Sequence, residues 1–164
     1  MIIRSATPED AEQLVELIAD AESSGFMMFD PGERKISPEG LSKRIAAIEN
    51  EATSDILLAE KDGELAGYMF IIGNQPKRTR HAVYLAIGIR ETSRGQGVGT
   101  KLFEGLESWA KERNIRRLEL TVMMNNRAGV GLYQKMGFII EGIKKNSLKI
   151  DGEYIDEYYM AKLI

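Results

Sequence analysis

Apolar residues recur with a helical period over four stretches of the chain. Between Pro8 and about Ala21 they fall every three or four positions, and Thr7 precedes this stretch as a capping hydroxyl. A second stretch opens in the same way at Ser37–Glu39. The last two run over about Gly97–Arg113 and over Asn126–Met136. The pattern therefore predicts four amphipathic helices.

Shorter apolar runs between turn residues predict strands. Asp62–Gly63 and Asp151–Gly152 are typical of tight hairpin turns, and Ser24–Lys35 has the glycines and proline of a loop. The predicted strands are Met1–Arg4, Ile56–Glu60, Leu65–Ile72, His81–Ile89, Arg117–Val122, Phe138–Ile150 and Tyr154–Leu163. The order β-α-α-β-β-β-α-β-α-β-β predicts an α/β (α+β) fold. It has a single mixed, mostly antiparallel sheet of about seven strands, with helices on both faces. We expect one domain over residues 1–164.

Composition narrows the chemistry. The 164 residues include no cysteine and one histidine, His81, so thiol chemistry and a histidine metal cluster are excluded and no metal is expected. The net charge of −3 gives no overall attraction to nucleic acid or anionic membranes. The N-terminus lacks the apolar core of a signal peptide, and no apolar run is long enough to span a membrane. We therefore expect a cytoplasmic protein.

A glycine-rich run, Arg94–Gly99, lies between a predicted strand and a predicted helix. Unpaired N–H groups at a helix start attract phosphate, and glycines let the backbone approach an anion closely. A tight turn without a ligand would need the same glycines, and a different phosphate could bind there. The run is not a Walker loop, because no Gly-Lys-Ser/Thr follows, and its spacing differs from that of the dinucleotide fingerprint.

Two motifs extend this observation. The stretch Ile89–Gly99 resembles motif A of the GNAT superfamily of N-acetyltransferases, V-x-x-x-x-[RQ]-G-x-G-x-[GA]. The stretch Asn126–Phe138 resembles motif B of the same superfamily, N-x-x-[AG]-x-x-L-Y-x-K-x-G-F. The order of predicted elements also matches that fold, in its bacterial small-molecule and ribosomal-protein branches. The match is weakest before about Asp55.

The resemblance implies acetyl-CoA as donor, a primary amine as acceptor, and a sheet splayed between its fourth and fifth strands, as in the acyl-CoA N-acyltransferase fold. It also implies which residues hold the cofactor. Backbone groups of the fourth strand would contact the pantetheine arm, those of the loop the pyrophosphate, and Asn126 and Lys135 the cofactor from the next helix. The implied set is Ile87, Ile89, Arg94, Gly95, Gln96, Gly97, Val98, Gly99, Thr100, Asn126, Tyr133 and Lys135.

The implied reaction is direct attack of the amine on the thioester through a tetrahedral intermediate. The Ile89 N–H would stabilise the oxyanion, and Tyr133 would protonate the departing sulfur as general acid. Tyr133 could instead be an amphipathic core residue. Related ribosomal-protein alanine acetyltransferases carry a glutamate where this chain has Thr121. This difference counts against the chain sharing the substrate or the proton path of those enzymes, and the general base is open. The weak candidates are Glu119, Glu91 and Asp156, and a water-mediated path is equally plausible.

The acceptor is not identified by the sequence. Phe26–Phe29 could line its pocket or plug the core, and the acidic and aromatic stretch Glu153–Tyr159 could attract a cationic amine or be an ordinary strand. A protein N-terminus, a polyamine and an aminoglycoside all remain open. His81 and the basic stretch Lys77–Arg80 are interpreted as exposed. We also expect a homodimer, as in many relatives.

Two other functions would use the same loop. One is a non-catalytic CoA-binding sensor that kept the fold, and the other is a nucleotide-phosphate binder unrelated to CoA. The Arg94–Gly99 loop together with Tyr133 favours catalysis.

Overall fold

The computed structural model describes all residues, Met1–Ile164. Seven strands and four α-helices follow one another in the predicted order. Two 3₁₀ turns, Pro8–Asp10 and Glu91–Ser93, precede α1 and α3. The elements are β1 (Ile2–Ser5), α1 (Ala11–Glu22), α2 (Pro38–Ile48), β2 (Asp55–Lys61), β3 (Glu64–Gly73), β4 (Ala82–Ile89), α3 (Val98–Glu112), β5 (Arg117–Met123), α4 (Arg127–Lys135), β6 (Ile139–Ile150) and β7 (Glu153–Leu163).

The strands form one sheet in the order β1-β2-β3-β4-β5-β7-β6, and every neighbouring pair is antiparallel except β4 and β5. This confirms the predicted fold class. The Asp62–Gly63 and Asp151–Gly152 hairpins form as predicted, with positive φ at all four residues. Such turns suit the right-handed twist of the strands they join.

The parallel ladder between β4 and β5 is short. It pairs Ala82 with Arg117, Val83 with Leu118 and Tyr84 with Glu119, and then it stops. The last five residues of β4 have no partner on that side, although β4 stays paired with β3 to its end. The sheet is therefore splayed between its fourth and fifth strands, and the resulting space is called the gap below.

Two cores lie on opposite faces of the sheet. Helices α3 and α4 cover the face that carries Val83, Leu85 and Leu120. Helices α1 and α2 cover the other face, but only over the first strands, because no residue of β5, β6 or β7 belongs to the second core. The α1/α2 face of the C-terminal strands is thus uncovered, and Tyr159 and Ile139 are exposed there.

The start of α2 follows the predicted capping chemistry, whereas the Thr7 hydroxyl donates to the Asp10 carboxylate at 3.2 Å. The Ser37 hydroxyl accepts a hydrogen bond of 3.0 Å from the Gly40 N–H. The first helix differs slightly from expectation, since its opening residues form a 3₁₀ turn before α1. There the Asp10 carboxylate accepts from the Thr7 N–H at 2.7 Å and from the Arg4 guanidinium at 2.8 Å. These bonds tie the start of α1 to β1.

Candidate active site

The glycine loop has the conformation of an anion site. Gly95 and Gly97 adopt φ of +70° and +81°, a region that residues with a side chain rarely adopt. A Cβ at either position would meet nothing within 4 Å, so both glycines face open space. The first helical bond of α3 runs from the Lys101 N–H to the Gly97 carbonyl, and no side chain caps the helix. The N–H groups of Val98–Thr100 are therefore free for a ligand.

Gly99 has a different role in the structure from Gly97. It is buried, and a Cβ there would lie 2.6 Å from Leu132 Cδ2 of α4. The missing side chain thus lets α3 and α4 pack closely. This contact joins the start of α3 to Leu132, the residue that precedes Tyr133 in α4.

The polar side chains of the loop differ in how they are held. Arg94 is exposed and forms no ion pair, so its guanidinium is available to an anion. Gln96 donates to the Thr92 carbonyl at 2.9 Å and lies 3.5 Å from Lys61 Nζ. The Gln96 side chain is therefore used to shape the loop, and only its backbone remains for a ligand.

The edge of β4 offers backbone groups to the gap. The Arg90 N–H donates to the Ala66 carbonyl of β3 at 2.8 Å. Hydrogen-bonded and non-bonded pairs alternate along an antiparallel ladder, so Ile89 and Ile87 belong to the non-bonded pairs with β3. Their N–H and C=O groups therefore point away from β3, toward the side where β5 has diverged.

Most residues of the second motif shape the ends of α4. The Asn126 side-chain oxygen accepts from the Gly129 N–H at 3.0 Å, and a Cβ on Gly129 would lie 2.6 Å from the Asn126 amide nitrogen. Gly137 ends the helix with φ of +94°, and the Phe138 N–H returns to the Tyr133 carbonyl at 2.9 Å. Sequence reasoning gave Asn126 a cofactor role alone and missed its capping bond, although a small residue three positions later was the signal.

Tyr133 is buried by aromatic neighbours but keeps a free hydroxyl. Its ring lies 5.8 Å from that of Phe103 and 6.2 Å from that of Phe138, between centroids. The hydroxyl has no protein partner, and every fully buried polar side-chain atom has one, so this oxygen reaches solvent. Burial raises the pKa of Tyr133 above its usual range, and Tyr84 raises it further. The phenol is thus a neutral proton donor at physiological pH.

The three candidate bases are all engaged or exposed. Glu119 pairs with Arg117 at 3.1 Å, and Arg117 also binds Glu141. Glu91 is exposed on a 3₁₀ turn, where its own N–H donates to the Asp20 carboxylate at 2.8 Å.

Asp156 stabilises the irregular part of β6. It accepts from the Asn146 N–H at 2.8 Å and pairs with Lys145 at 3.3 Å, and the first of these contacts lowers the pKa of the Asp156 carboxyl. Glu157 bonds to Ser147 in the same region. The acids of the 153–159 stretch are therefore largely occupied within the hairpin.

The aromatic stretch before α2 does not act as a unit. Met27 packs against the second core, whereas Phe26 and Met28 are exposed. Phe29 lies under the Arg34 guanidinium, 4.5 Å from its ring centroid. Arg34 in turn pairs at 3.1 Å with Glu22, which is almost fully buried. The sequence gave no signal for this pair, because it depends on how the loop folds back onto α1.

A second feature that the sequence did not reveal is a contact between two hydroxyl groups. Tyr84 Oη and Thr121 Oγ1 lie 2.8 Å apart where the β4–β5 ladder ends. A cavity of about 350 Å³ on the uncovered face is lined by both residues and by Glu119 and Tyr159. Alternation placed Thr121 and Glu119 on one strand face, but the position of Tyr84 beside them depends on the parallel register.

Of the remaining predicted residues, Lys135 is exposed in the last turn of α4 without an ion pair. His81 is exposed, as expected, and its carbonyl accepts from the N–H groups of Arg116 and Arg117. No helix combines the length and apolar character needed to cross a membrane.

Comparison with known proteins agrees with this geometry. The model of the acetyltransferase (GNAT) family matches residues 13–138. The L-amino acid N-acetyltransferase AaaT of Escherichia coli is 33% identical over 111 residues, which are 65% of this chain and 67% of that protein. A putative [ribosomal protein bS18]-alanine N-acetyltransferase of Bacillus subtilis is 38% identical over 99 residues, 59% of this chain and 62% of its own length. The aligned segment thus spans less than two thirds of this second relative.

A crystal structure of a GNAT-family acetyltransferase from Streptococcus pneumoniae superposes with a TM-score of 0.94 at 36% identity, covering 99% of this chain and 98% of that one. The family match includes the glycine loop, the gap and α4 through Phe138. The chain belongs to the acetyltransferase (GNAT) family and is an N-acetyltransferase.

Proposed function

We propose that the gap between β4 and β5 is where this chain transfers the acetyl group of acetyl-CoA to the α-amino group of a small amino acid or of a peptide N-terminus. The observation that carries the proposal is the three-pair ladder, which leaves the backbone of Ile87 and Ile89 open beside the glycine loop. The free N–H groups of Val98–Thr100 and the unpaired Arg94 supply the positive charge that a pyrophosphate requires.

The chain's own groups fit the chemistry of acyl transfer. The Ile89 N–H lies on the open edge of β4 and is the proposed donor to the oxygen that gains negative charge when the amine attacks. Tyr133 is the proposed acid for the departing sulfur. Its raised pKa keeps the phenol protonated before the reaction, and its hydroxyl has no competing partner.

The acceptor class rests on the relatives and on the charge of the uncovered face. The two curated relatives are named for L-amino acids and for the alanine of a ribosomal protein, which share an α-amino group. Beside the gap, Arg117 meets two carboxylates, Glu119 and Glu141, so the cluster carries one net negative charge. Negative charge there favours the approach of an ammonium group before it loses its proton.

A thiol-release assay tests this function. Purified protein is given acetyl-CoA with free L-amino acids, an alanine-led peptide, a polyamine or an aminoglycoside, and released CoA is measured as free thiol. We expect turnover with an α-amino acceptor. Tight binding of acetyl-CoA with no thiol release for any amine would indicate a sensor. Stabilisation of the protein by ATP alone would overturn the donor assignment.

We also propose that the protein works in the cytoplasm as a homodimer. The uncovered face of β7 and β6 exposes Ile139 and Leu163, whose apolar area a second chain would bury. Light scattering at several protein concentrations measures the oligomeric state, and a constant monomer mass would exclude the dimer.

A further inference from the structure

The end of the β4–β5 ladder is closed by two hydroxyl groups. Tyr84 is the last residue of β4 that pairs with β5, and Thr121 lies two positions beyond its partner Glu119 on the same strand face. Their oxygens are 2.8 Å apart, and either one can donate the hydrogen bond. This contact joins the strands where their backbones separate, so it lies at the closed end of the gap.

The two tyrosines lie on opposite faces of the sheet. Tyr133 packs in the core under α3, whereas Tyr84 lies on the uncovered face and is 39% exposed. Tyr84 is nevertheless close enough to raise the pKa of Tyr133. The attacking amine must lose a proton, whereas the departing sulfur must gain one. A phenol on each face of the sheet allows one tyrosine to serve each group.

The two carboxylates that line the same cavity, Glu119 and Glu141, are both bound to Arg117. On the uncovered face β5 presents Arg117, Glu119, Thr121 and Met123 in turn, and Glu119 is bound to Arg117. Tyr84 and Thr121 are therefore a polar pair without an ion-pair partner at the point where the two strands begin to diverge. They also line the 350 Å³ cavity, which gives them contact with solvent.

We propose that Tyr84, held by Thr121, binds the acceptor amine and carries away the proton that the nitrogen loses on attack. This proposal rests on the proposed function. As the C–N bond forms and the C–S bond breaks, the N–H proton passes to Tyr84 Oη while the phenol proton passes to Thr121 Oγ1. The threonine proton passes to water in the cavity. Tyr133 supplies a proton to the sulfur and regains one from solvent, which its hydroxyl reaches. Both hydroxyls of the pair end with one proton each.

Removing either hydroxyl tests the relay. Tyr84→Phe is expected to lower kcat with the best acceptor at least about tenfold, since a placed proton acceptor typically contributes that much or more. Thr121→Val, which keeps the shape without the hydroxyl, is expected to lower kcat in the same direction. Thr121→Ser restores the hydroxyl and is expected to stay within about twofold of wild type. The affinity for acetyl-CoA, measured by calorimetry, should be unchanged in all three.

A second measurement separates proton transfer from a merely structural hydrogen bond. At fixed pH and ionic strength, the rate of Tyr84→Phe should rise with the concentration of buffer base, because an external base replaces the lost acceptor. The wild-type rate should not depend on buffer. Tyr154→Phe, an exposed tyrosine on the far hairpin, is the matched control and should behave as wild type.

The outcomes are distinct. If wild type turns over and Tyr84→Phe keeps full kcat, the relay is wrong and the proposed function stands. If Tyr84→Phe is slow but insensitive to buffer base, with Thr121→Ser as slow as Thr121→Val, the contact is structural and the relay is also wrong. If wild type binds acetyl-CoA but acetylates no amine, the proposed function itself fails.

Discussion

The two sides of the gap are built from different materials. The proposed donor side consists mainly of backbone groups and glycines in two short segments, Ile87–Thr100 and Asn126–Phe138. The proposed acceptor side consists of side chains that lie far apart in the sequence, such as Tyr84 and Thr121. A donor shared by the whole family can be bound by contiguous sequence motifs. An acceptor that differs between relatives is contacted by residues that are distant in the sequence and come together only in the folded protein. The donor can therefore be predicted from local motifs in the sequence, and the acceptor cannot.

The largest expected effect breaks the donor side alone. Gly97→Glu places a carboxylate and a side chain at φ of +81°, in the open space where the pyrophosphate is proposed to bind. We expect the affinity for acetyl-CoA to fall at least about 100-fold, because facing like charges cost several kcal/mol. Calorimetry measures the loss. Gly152→Glu has the same backbone conformation in a distant hairpin and should bind normally. Normal binding by the Gly97 variant would contradict the placement of the loop.

A smaller effect is expected where the two sides meet. Tyr133→Phe keeps the ring between Phe103 and Phe138 and removes only a hydroxyl that has no protein partner. We expect kcat to fall about 100-fold, as is typical for the loss of a general acid. The melting temperature and the affinity for acetyl-CoA should hardly change. Unchanged turnover would remove Tyr133 from the mechanism and leave it as a core residue.

Arg94 tests how much of the donor site depends on a side chain rather than on backbone. Arg94→Ala removes an unpaired guanidinium beside the loop, and we expect acetyl-CoA to bind about tenfold more weakly. The difference should shrink at high ionic strength, because the contact is exposed. Arg116→Ala, another exposed arginine without an ion pair, is the control. Loss of affinity that does not depend on salt would argue against a phosphate contact.

The smallest expected effect lies at the start of α1, outside the site. Asp10 accepts two bonds from Arg4 and one from the Thr7 N–H, and the Arg4 guanidinium is the main cause of its lowered pKa. Asp10→Asn should destabilise the protein by about 1–2 kcal/mol at neutral pH without changing kcat. Denaturant unfolding measures the difference, and Glu12→Gln, an exposed acid on the same helix, should change stability by less than about 0.5 kcal/mol.

The pH dependence of this effect has a fixed sign. Because the pKa of Asp10 is lower in the folded protein, its stabilisation is present above its ordinary pKa of about 3.9. It is lost as the pH falls through the lower folded-state value. Wild type and Asp10→Asn should therefore converge in stability in strong acid. A difference that persists there would mean that the asparagine acts through packing.

Most of the fold followed from periodicity and turn residues. The strands begin and end within about two residues of the predicted positions, because each is bounded by a turn or cap with its own chemistry. The insertion of β7 between β5 and β6 depends on long-range pairing, which leaves no local signal. Phe138 was placed in β6, but it packs against Phe103 and Tyr133 at the end of α4.

The candidate site divides in the same way. Arg94–Gly99 and Tyr133 could be named from the sequence because each lies in a contiguous motif, and their roles stay predictions. The Tyr84–Thr121 contact required the parallel register of two strands separated by α3, and the Glu22–Arg34 pair required the path of an irregular loop. Glycine roles were also mixed, since Gly99 serves helix packing as well as offering its N–H. Side-chain convergence of this kind cannot be inferred from spacing.

The short β4–β5 ladder also has a mechanical consequence. Strands β3 and β4, and likewise β5 and β7, are joined by seven residue pairs each, whereas the two halves of the sheet meet through only three. The two halves of the sheet are thus each well paired, but they are connected to one another by few residue pairs. Motion of one half relative to the other is therefore expected mainly between β4 and β5. A pantetheine arm bonded to Ile87 and Ile89 would fill the gap and restrict the motion of β4 relative to β5. Amide hydrogen exchange in β4 and β5 should then slow when acetyl-CoA binds and become faster again when CoA leaves. Each turnover would thus make the β4–β5 region first more rigid and then more flexible.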